Sequence, residues 1–185
     1  IGVHSGRYID VAIHPAPANH GIVFHRTDLV EGDHIIPATI DYAVPHHLCT
    51  RIENEDGIGV NTIEHFMAAF HGLGIDNLLI EIDGPEMPIL DGSATPIISL
   101  LTKAGIEQQA AAKQVLVIID EVEIDLGDGR HARLSPNEQL ELDVSIDFDD
   151  SLIGQQSLRY SHDTGAFEAS LANARTFCML KDVEA

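Results

Sequence analysis

Hydrophobic and polar positions change rhythm several times along this chain, and each change marks an element. Ile9, Val11 and Ile13 alternate with Asp10 and His14, the period of a half-buried strand. The run Pro15-Ala16-Pro17-Ala18-Asn19-His20-Gly21 is turn-forming. Residues 22–26 then predict a second strand, hairpin partner of the first. Shorter strands are predicted over 36–41, 48–53 and 58–60, the last two joined by a tight turn at Asn54-Glu55-Asp56-Gly57. The period lengthens from Ile63: with Phe66, Met67 and Phe70 it forms the inward stripe of a short helix, and Gly72 or Gly74 can end it. Residues 78–82 predict a well-buried strand. Thr95-Pro96 opens another helix as cap and first residue. It runs to about Ala104 with Ile97, Leu100 and Leu101 inward, and Gly105 stops it.

Residues 108–113 are polar and alanine-rich, the composition of a linker. Strand patterns resume at 115–124 and 130–134 around the turn Gly127-Asp128-Gly129. The clearest follows: Leu140, Leu142, Val144, Ile146 and Phe148 alternate with Glu141, Asp143, Ser145 and Asp147. A further strand is predicted at 157–160. A helix capped by Asp163 or Thr164 then reaches Ala174, with Phe167, Leu171 and Ala174 on one face. Strands joined mostly by hairpins, with helices between, predict an α+β fold of antiparallel sheets. Two units of similar make-up emerge: residues 1–112, with the Ile63–Phe70 helix, and residues 113–185, the first part of a second. Both ends look cut, since the chain opens at Ile1 and stops at Ala185 without a cap, so a longer parent protein is expected.

Composition narrows the partners. Thirty acids against ten bases give a formal charge of −20 over 185 residues. Nucleic acid is thereby excluded as a partner, because phosphate binding needs a basic face. An anionic small substrate fits only where the few basic residues gather at one site. Hydrophobic residues make up 44%, enough for a packed core. Cys49 and Cys178 lack CxxC spacing and read as free thiols of a reducing compartment. The chain has no apolar run long enough to span a membrane and reads as cytoplasmic and monomeric.

The chemistry concentrates at Glu64 and His65, in the first turn of the first helix. A turn anchored by packing behind it and open in front can hold a metal ligand beside a general base. A plainer account is also available: with Asn61 as cap, Glu64 falls three residues in and closes a capping box, and His65 is a packing residue. The zinc motif HExxH is absent, and the inverted form would need His where Asn61 stands. No P-loop, dinucleotide fingerprint or GxSxG elbow occurs, and Asp149 and Asp150 read as a solvated edge.

Several pieces together resemble the UDP-3-O-acyl-N-acetylglucosamine deacetylases, zinc enzymes of lipid A synthesis in Gram-negative bacteria. They are Gly2-Val3-His4-Ser5-Gly6, His14-Pro15-Ala16-Pro17-Ala18-Asn19, Phe24-His25-Arg26-Thr27-Asp28-Leu29 and Leu48-Cys49-Thr50. The series continues with Thr62-Ile63-Glu64-His65-Phe66-Met67-Ala68-Ala69 and Gly72-Leu73-Gly74-Ile75-Asp76-Asn77. It ends with Glu86-Met87-Pro88-Ile89-Leu90-Asp91-Gly92-Ser93-Ala94 and Ala174-Arg175-Thr176-Phe177. Their collinearity over nearly the whole chain carries the resemblance. It implies two similar sheet-and-helix sandwich domains, the second incomplete in this chain, with the site between them.

The resemblance further implies that His65 ligates Zn²⁺, that Glu64 is the general base and that the Thr176 hydroxyl stabilises the oxyanion. By the same likeness Phe177 lines the sugar and nucleotide site, Phe148 stacks on uracil, Arg130 meets the UDP phosphates and Cys49 lies near the metal. For Phe148 and Arg130 a core strand end and an exposed hairpin charge are equally good accounts; for Cys49 it is a buried thiol. The family completes its zinc site with a His and an Asp spaced HxxxD, a neighbouring Lys and a further His acting as acid. This chain has no HxxxD. It therefore supplies one of three protein ligands, and these 185 residues alone are expected to bind zinc weakly and to be inactive. The competing accounts are a non-catalytic α+β binding scaffold and a zinc amidase for another acylated sugar.

Overall fold

A computed structural model of the chain describes residues 1–163 and 165–178. It divides into two units, Ile1–Ala111 with the segment that starts at Leu171, and Ala112–Ser170. The class is α+β, as the alternation of patterns predicts. The division falls within the alanine-rich stretch 108–113. The segment from Leu171, assigned above to the second domain, groups with the first unit because it binds the start of a helix there. The Ala94 N–H donates to the Ala172 carbonyl (3.1 Å), and the Thr95 hydroxyl lies 3.0 Å from that oxygen and 2.8 Å from Asn173 Oδ1.

The first unit contains strands β1 (Val11–Pro15), β2 (Ile22–Arg26), β3 (Ile35–Pro37), β4 (Ala43–Val44), β5 (Arg51–Glu53), β6 (Gly59–Val60) and β7 (Leu78–Ile82). Its helices are α1 (Glu64–Gly72) and α2 (Thr95–Ala104). The predicted hairpin of β1 and β2 does not form. β7 inserts between them, giving the order β1-β7-β2-β3. β7 runs antiparallel to β1, with Ile80 opposite Ile13, and parallel to β2, with Ile80 opposite Phe24. The physical reason is burial: Leu78, Ile80 and Ile82 are buried and the residues between them half-buried, so β7 takes the centre. A parallel pair needs a crossover connection. Here it holds β3, the small antiparallel sheet β4-β5-β6 and α1.

The expected turn at Asn54–Gly57 does join β5 and β6. Gly57 adopts φ +75°, and the Asn54 Oδ1 accepts the N–H groups of Asp56 and Ile58. Phe24, Ile36, Ile80 and Ile82 of the sheet, Phe66, Ala69 and Phe70 of α1, and Ile97 and Leu101 of α2 form the core. Leu100, expected inward, is 65% exposed: α2 buries the pair at i and i+4, and Leu100 falls on its flank. Met67 is only half-buried. A cation is buried beside this core. Arg26 is 6% exposed, and its guanidinium donates to the Gly59 carbonyl (2.8 Å) and to both Asp28 oxygens. It thus ties the four-stranded sheet to β6.

The second unit holds two separate hairpins, β8 (Val122–Asp125) with β9 (His131–Leu134), and β10 (Glu141–Asp147) with β11 (Gln155–Ser161), then the short helix α3 (Ala166–Ser170). Cross-strand pairing puts Leu142 opposite Tyr160 and Val144 opposite Leu158 on one face, and Asp143 opposite Arg159 on the other. The predicted strand over 115–124 shortens to β8. The predicted helix to Ala174 ends at Ser170, because the Ala172 carbonyl accepts from Ala94 rather than from its own helix. Of its two candidate caps, Thr164 lies outside the described residues. No helix among the described residues is long and apolar enough to cross a membrane. Packing depth sets the expected stability map. In the 185-residue chain Phe24→Ala should cost about 4 kcal/mol of unfolding free energy. Leu142→Ala, at a position already 40% exposed, should cost less than about 1 kcal/mol in the same urea titrations.

Candidate active site

Two peptide segments converge just before α1. The Asn61 N–H donates to the Pro85 carbonyl (2.8 Å), and the Met87 N–H returns to the Asn61 carbonyl (3.0 Å). On the other flank the Ile63 N–H meets the Thr50 carbonyl (3.4 Å). Between these clamps Thr62 is held at φ +58°, 2% exposed. A β-branched residue in the left-handed region is strained, by about 1–3 kcal/mol. That conformation turns the chain sharply out of β6 and into α1.

The capping-box account of Glu64 does not hold. α1 begins at Glu64 itself, and the preceding Ile63 offers no side-chain cap. Asn61 is engaged elsewhere, its Oδ1 accepting from Arg51 Nη1 at 2.7 Å. Glu64 instead accepts the Thr50 N–H at 3.0 Å and remains half-buried. A carboxylate in the first turn also gains from the helix dipole. His65, beside it, is half-buried, and its ring makes no hydrogen bond or ion pair among the described residues. Both ring nitrogens are therefore uncommitted within the described residues.

Cys49 precedes Thr50, so the thiol lies one residue from the group that binds Glu64. It is half-buried, with Sγ 3.2 Å from His46 Nδ1, on a loop turned by Leu48 at φ +57°. Thr176 is exposed, and its N–H donates to the Gly92 carbonyl (3.1 Å) in the loop that opens α2. In that loop the N–H and hydroxyl of Ser93 hold the Asp91 carboxyl below the usual carboxylate range. No hydrogen bond among the described residues joins Thr176 to Glu64 or His65. Phe177 is 54% exposed and Phe148 40%. Arg130 is exposed and doubly bonded to Asp128, Nε to Oδ2 at 2.9 Å and Nη2 to Oδ2 at 2.5 Å. To meet a phosphate it would have to release that carboxylate. Phe148 and Arg130 belong to the second unit; Cys49, Glu64, His65, Thr176 and Phe177 belong to the first.

Glu86 is the group that residue-type reasoning passed over. It is 1% exposed, yet its oxygens accept the N–H groups of His4 and Ser5 (both 2.8 Å) and the Thr62 hydroxyl (3.3 Å). Burial pushes its carboxyl up, but the bonds from Ser5, His4 and Thr62 outweigh that and hold it below the ordinary glutamate value. A hydrogen bond to a charged group contributes about 1.5–3 kcal/mol, so this set exceeds the strain at Thr62. A Cβ at Gly2 would collide with Glu86 Oε2, which explains a glycine there. The available signal was an acid set between Pro85 and Met87-Pro88 in apolar surroundings.

With this geometry in place, comparison with known proteins is informative. A family model described as LpxC, UDP-3-O-acyl N-acetylglycosamine deacetylase, matches residues 1–185. The chain belongs to this deacetylase family. Relatives named UDP-3-O-acyl-N-acetylglucosamine deacetylase include that of Shewanella woodyi, 45% identical over all of this chain and 60% of its own length. Those of Myxococcus xanthus (44%, 58% of its length) and Pasteurella multocida (42%, 60%) likewise match the whole chain. The chain thus spans about 60% of the length of these curated relatives. The donor set bears on a metal. Among the described residues no group of three His, Cys, Asp or Glu side chains is arranged to hold one. A catalytic zinc takes three ligands from protein, so the described residues alone do not make such a site.

The buried carboxylate gives a pH expectation. Glu86 has a lowered folded pKa, so its stabilisation is complete above the ordinary value of 4.5 and is lost as pH falls through the folded value. Unfolding free energy measured at about pH 5 and about pH 3 should therefore drop less in Glu86→Gln than in wild type, from a lower starting point.

Proposed function

We propose that the whole protein hydrolyses the acetamide of UDP-3-O-acyl-N-acetylglucosamine, with zinc as cofactor, releasing acetate in the committed step of lipid A synthesis. Membership of the deacetylase family supports the reaction and substrate. The observation that carries the site is the first turn of α1. It presents a half-buried carboxylate beside a half-buried imidazole whose nitrogens have no partner among the described residues.

The roles are those that the family resemblance implies, and the chemistry of the groups suits them. Glu64 accepts the proton from the water that attacks the acetamide carbon. Its bond from the Thr50 N–H steadies one oxygen and leaves the carboxylate as base. The His65 imidazole is the ligand this chain contributes to zinc, which when bound polarises water and lowers its pKa toward neutrality. The Thr176 hydroxyl donates to the oxyanion as the carbonyl becomes tetrahedral. Phe177 contacts the sugar and nucleotide, Phe148 stacks on uracil, and Arg130 exchanges Asp128 for phosphate. Cys49 stands near the metal. The same reading has the protein acting as a cytoplasmic monomer on a soluble UDP-sugar, away from nucleic acid, which a formal charge of −20 supports. The 185 residues by themselves are inactive on this reading, with a single zinc ligand.

The test uses the full-length protein. Glu64→Ala should lower kcat by about 10²–10⁴-fold while zinc content is retained. His65→Ala should lower zinc content as well as turnover. Near-wild-type turnover in Glu64→Ala would remove the base from this scheme. Wild-type protein that carries no metal and releases no acetate would favour a binding scaffold.

A further inference from the structure

We propose that Glu86 is a positioning residue for the Glu64–His65 turn. Its carboxylate binds the His4–Ser5 loop and Thr62 together and so keeps Thr62 in the left-handed conformation from which α1 departs. The inference rests on the reading of Glu64 and His65 as site residues, and it adds a group that touches neither. Glu86 is 1% exposed and has no cationic partner among the described residues; three donors from two distant segments satisfy it. Two of those donors are the backbone N–H groups of His4 and Ser5, over eighty residues away in sequence. The third is the hydroxyl of the one strained residue between β6 and α1.

The arrangement is stricter than burial requires. A neutral amide cannot replace the carboxylate, since Gln would turn its NH₂ group toward one of the two backbone donors. Nor can the node move toward the N-terminal loop, because Glu86 already closes on Gly2. The peptides around Thr62 are fixed on both sides, by Pro85 and Met87 at Asn61 and by Thr50 at Ile63. Thr62 is thus the free hinge in an otherwise clamped run, and its hydroxyl is what Glu86 holds. Releasing it lets φ leave the left-handed region and rotates the first turn of α1, which carries both candidate site residues. Misplacing a reacting group by about 1 Å costs up to about 10²-fold in rate.

The test is made in the full-length, zinc-loaded protein with two readouts. Glu86→Gln should lower kcat about tenfold with KM within about twofold, because the turn and not the substrate contacts is disturbed. Adding Thr62→Gly should recover most of that loss, since glycine adopts the left-handed region without a clamp. Amide exchange provides the second readout. In Glu86→Gln it should quicken about tenfold at Asn61, Ile63 and Met67 as well as at His4 and Ser5, with Phe24 and Ile80 unchanged. Where Glu86→Gln fails to fold, Thr62→Val should quicken exchange at the same turn amides. Faster exchange confined to His4 and Ser5, or no recovery in the double variant, would overturn the proposal. Wild type without deacetylase activity would instead defeat the reading of the site, and the exchange pattern would still decide the role of Glu86.

Discussion

The architecture of the first unit depends on one constraint: β7 has to be the central strand. Its inward side chains Leu78, Ile80 and Ile82 are buried, and no edge position could cover them. Once β7 lies parallel to β2, the chain between them must cross over the sheet. That crossover is where the candidate site is built. Cys49, Thr50, Thr62, Glu64 and His65 all lie on it, after Arg26 and before Leu78. Arg26 fastens its base by reaching from β2 to the Gly59 carbonyl of β6, and the Pro85–Met87 segment fastens its far end at Asn61. Side chains on a long connection would ordinarily be mobile; here both flanks of the turn are hydrogen-bonded to the scaffold.

Electrostatics shapes the same turn. In a chain with a formal charge of −20, two acids close to one helix start would be expected to repel. The structure separates their tasks instead. Glu86 is withdrawn from solvent and its charge is spread over backbone N–H groups and a hydroxyl. Glu64 stays half-buried and is tied by one backbone N–H, so most of its acceptor capacity remains open. One carboxylate is structural because it is saturated, and the other is available because it is not.

Much of this was legible in the chain. The buried strand at 78–82, the Asn54–Gly57 turn, the hairpin turn around Gly127–Gly129 and the strict alternation over 140–148 all depend on local periodicity and turn chemistry, and all appear. The pairing of β1 was not legible, because its partner is chosen by burial of a segment far along the chain, Leu78–Ile82. The alternative account of Glu64 as a cap failed for a similar reason. The capping box is a local pattern, whereas its real partner, the Thr50 N–H, comes from a neighbouring strand start. Thr62 shows the limit most clearly: nothing in a threonine signals φ +58°, which depends on partners distant in sequence.

The second unit makes the complementary point about pattern and packing. Leu142, Val144 and Leu158 share a face by pairing, yet each remains at least 40% exposed. Alternation therefore records which side a residue points to, not whether anything covers it. Register here is fixed by the hairpins themselves, through Gly127 and Gly129 in left-handed turns and through the Asp150–Gly154 loop that closes on the Phe148 N–H. In the first unit the order of causes is reversed: burial of Phe24 and Ile80 decides the topology, and the turns follow it. Glu64 and His65 sit in the unit where packing decides, and rigid packing is the condition for holding two neighbouring side chains in fixed relation.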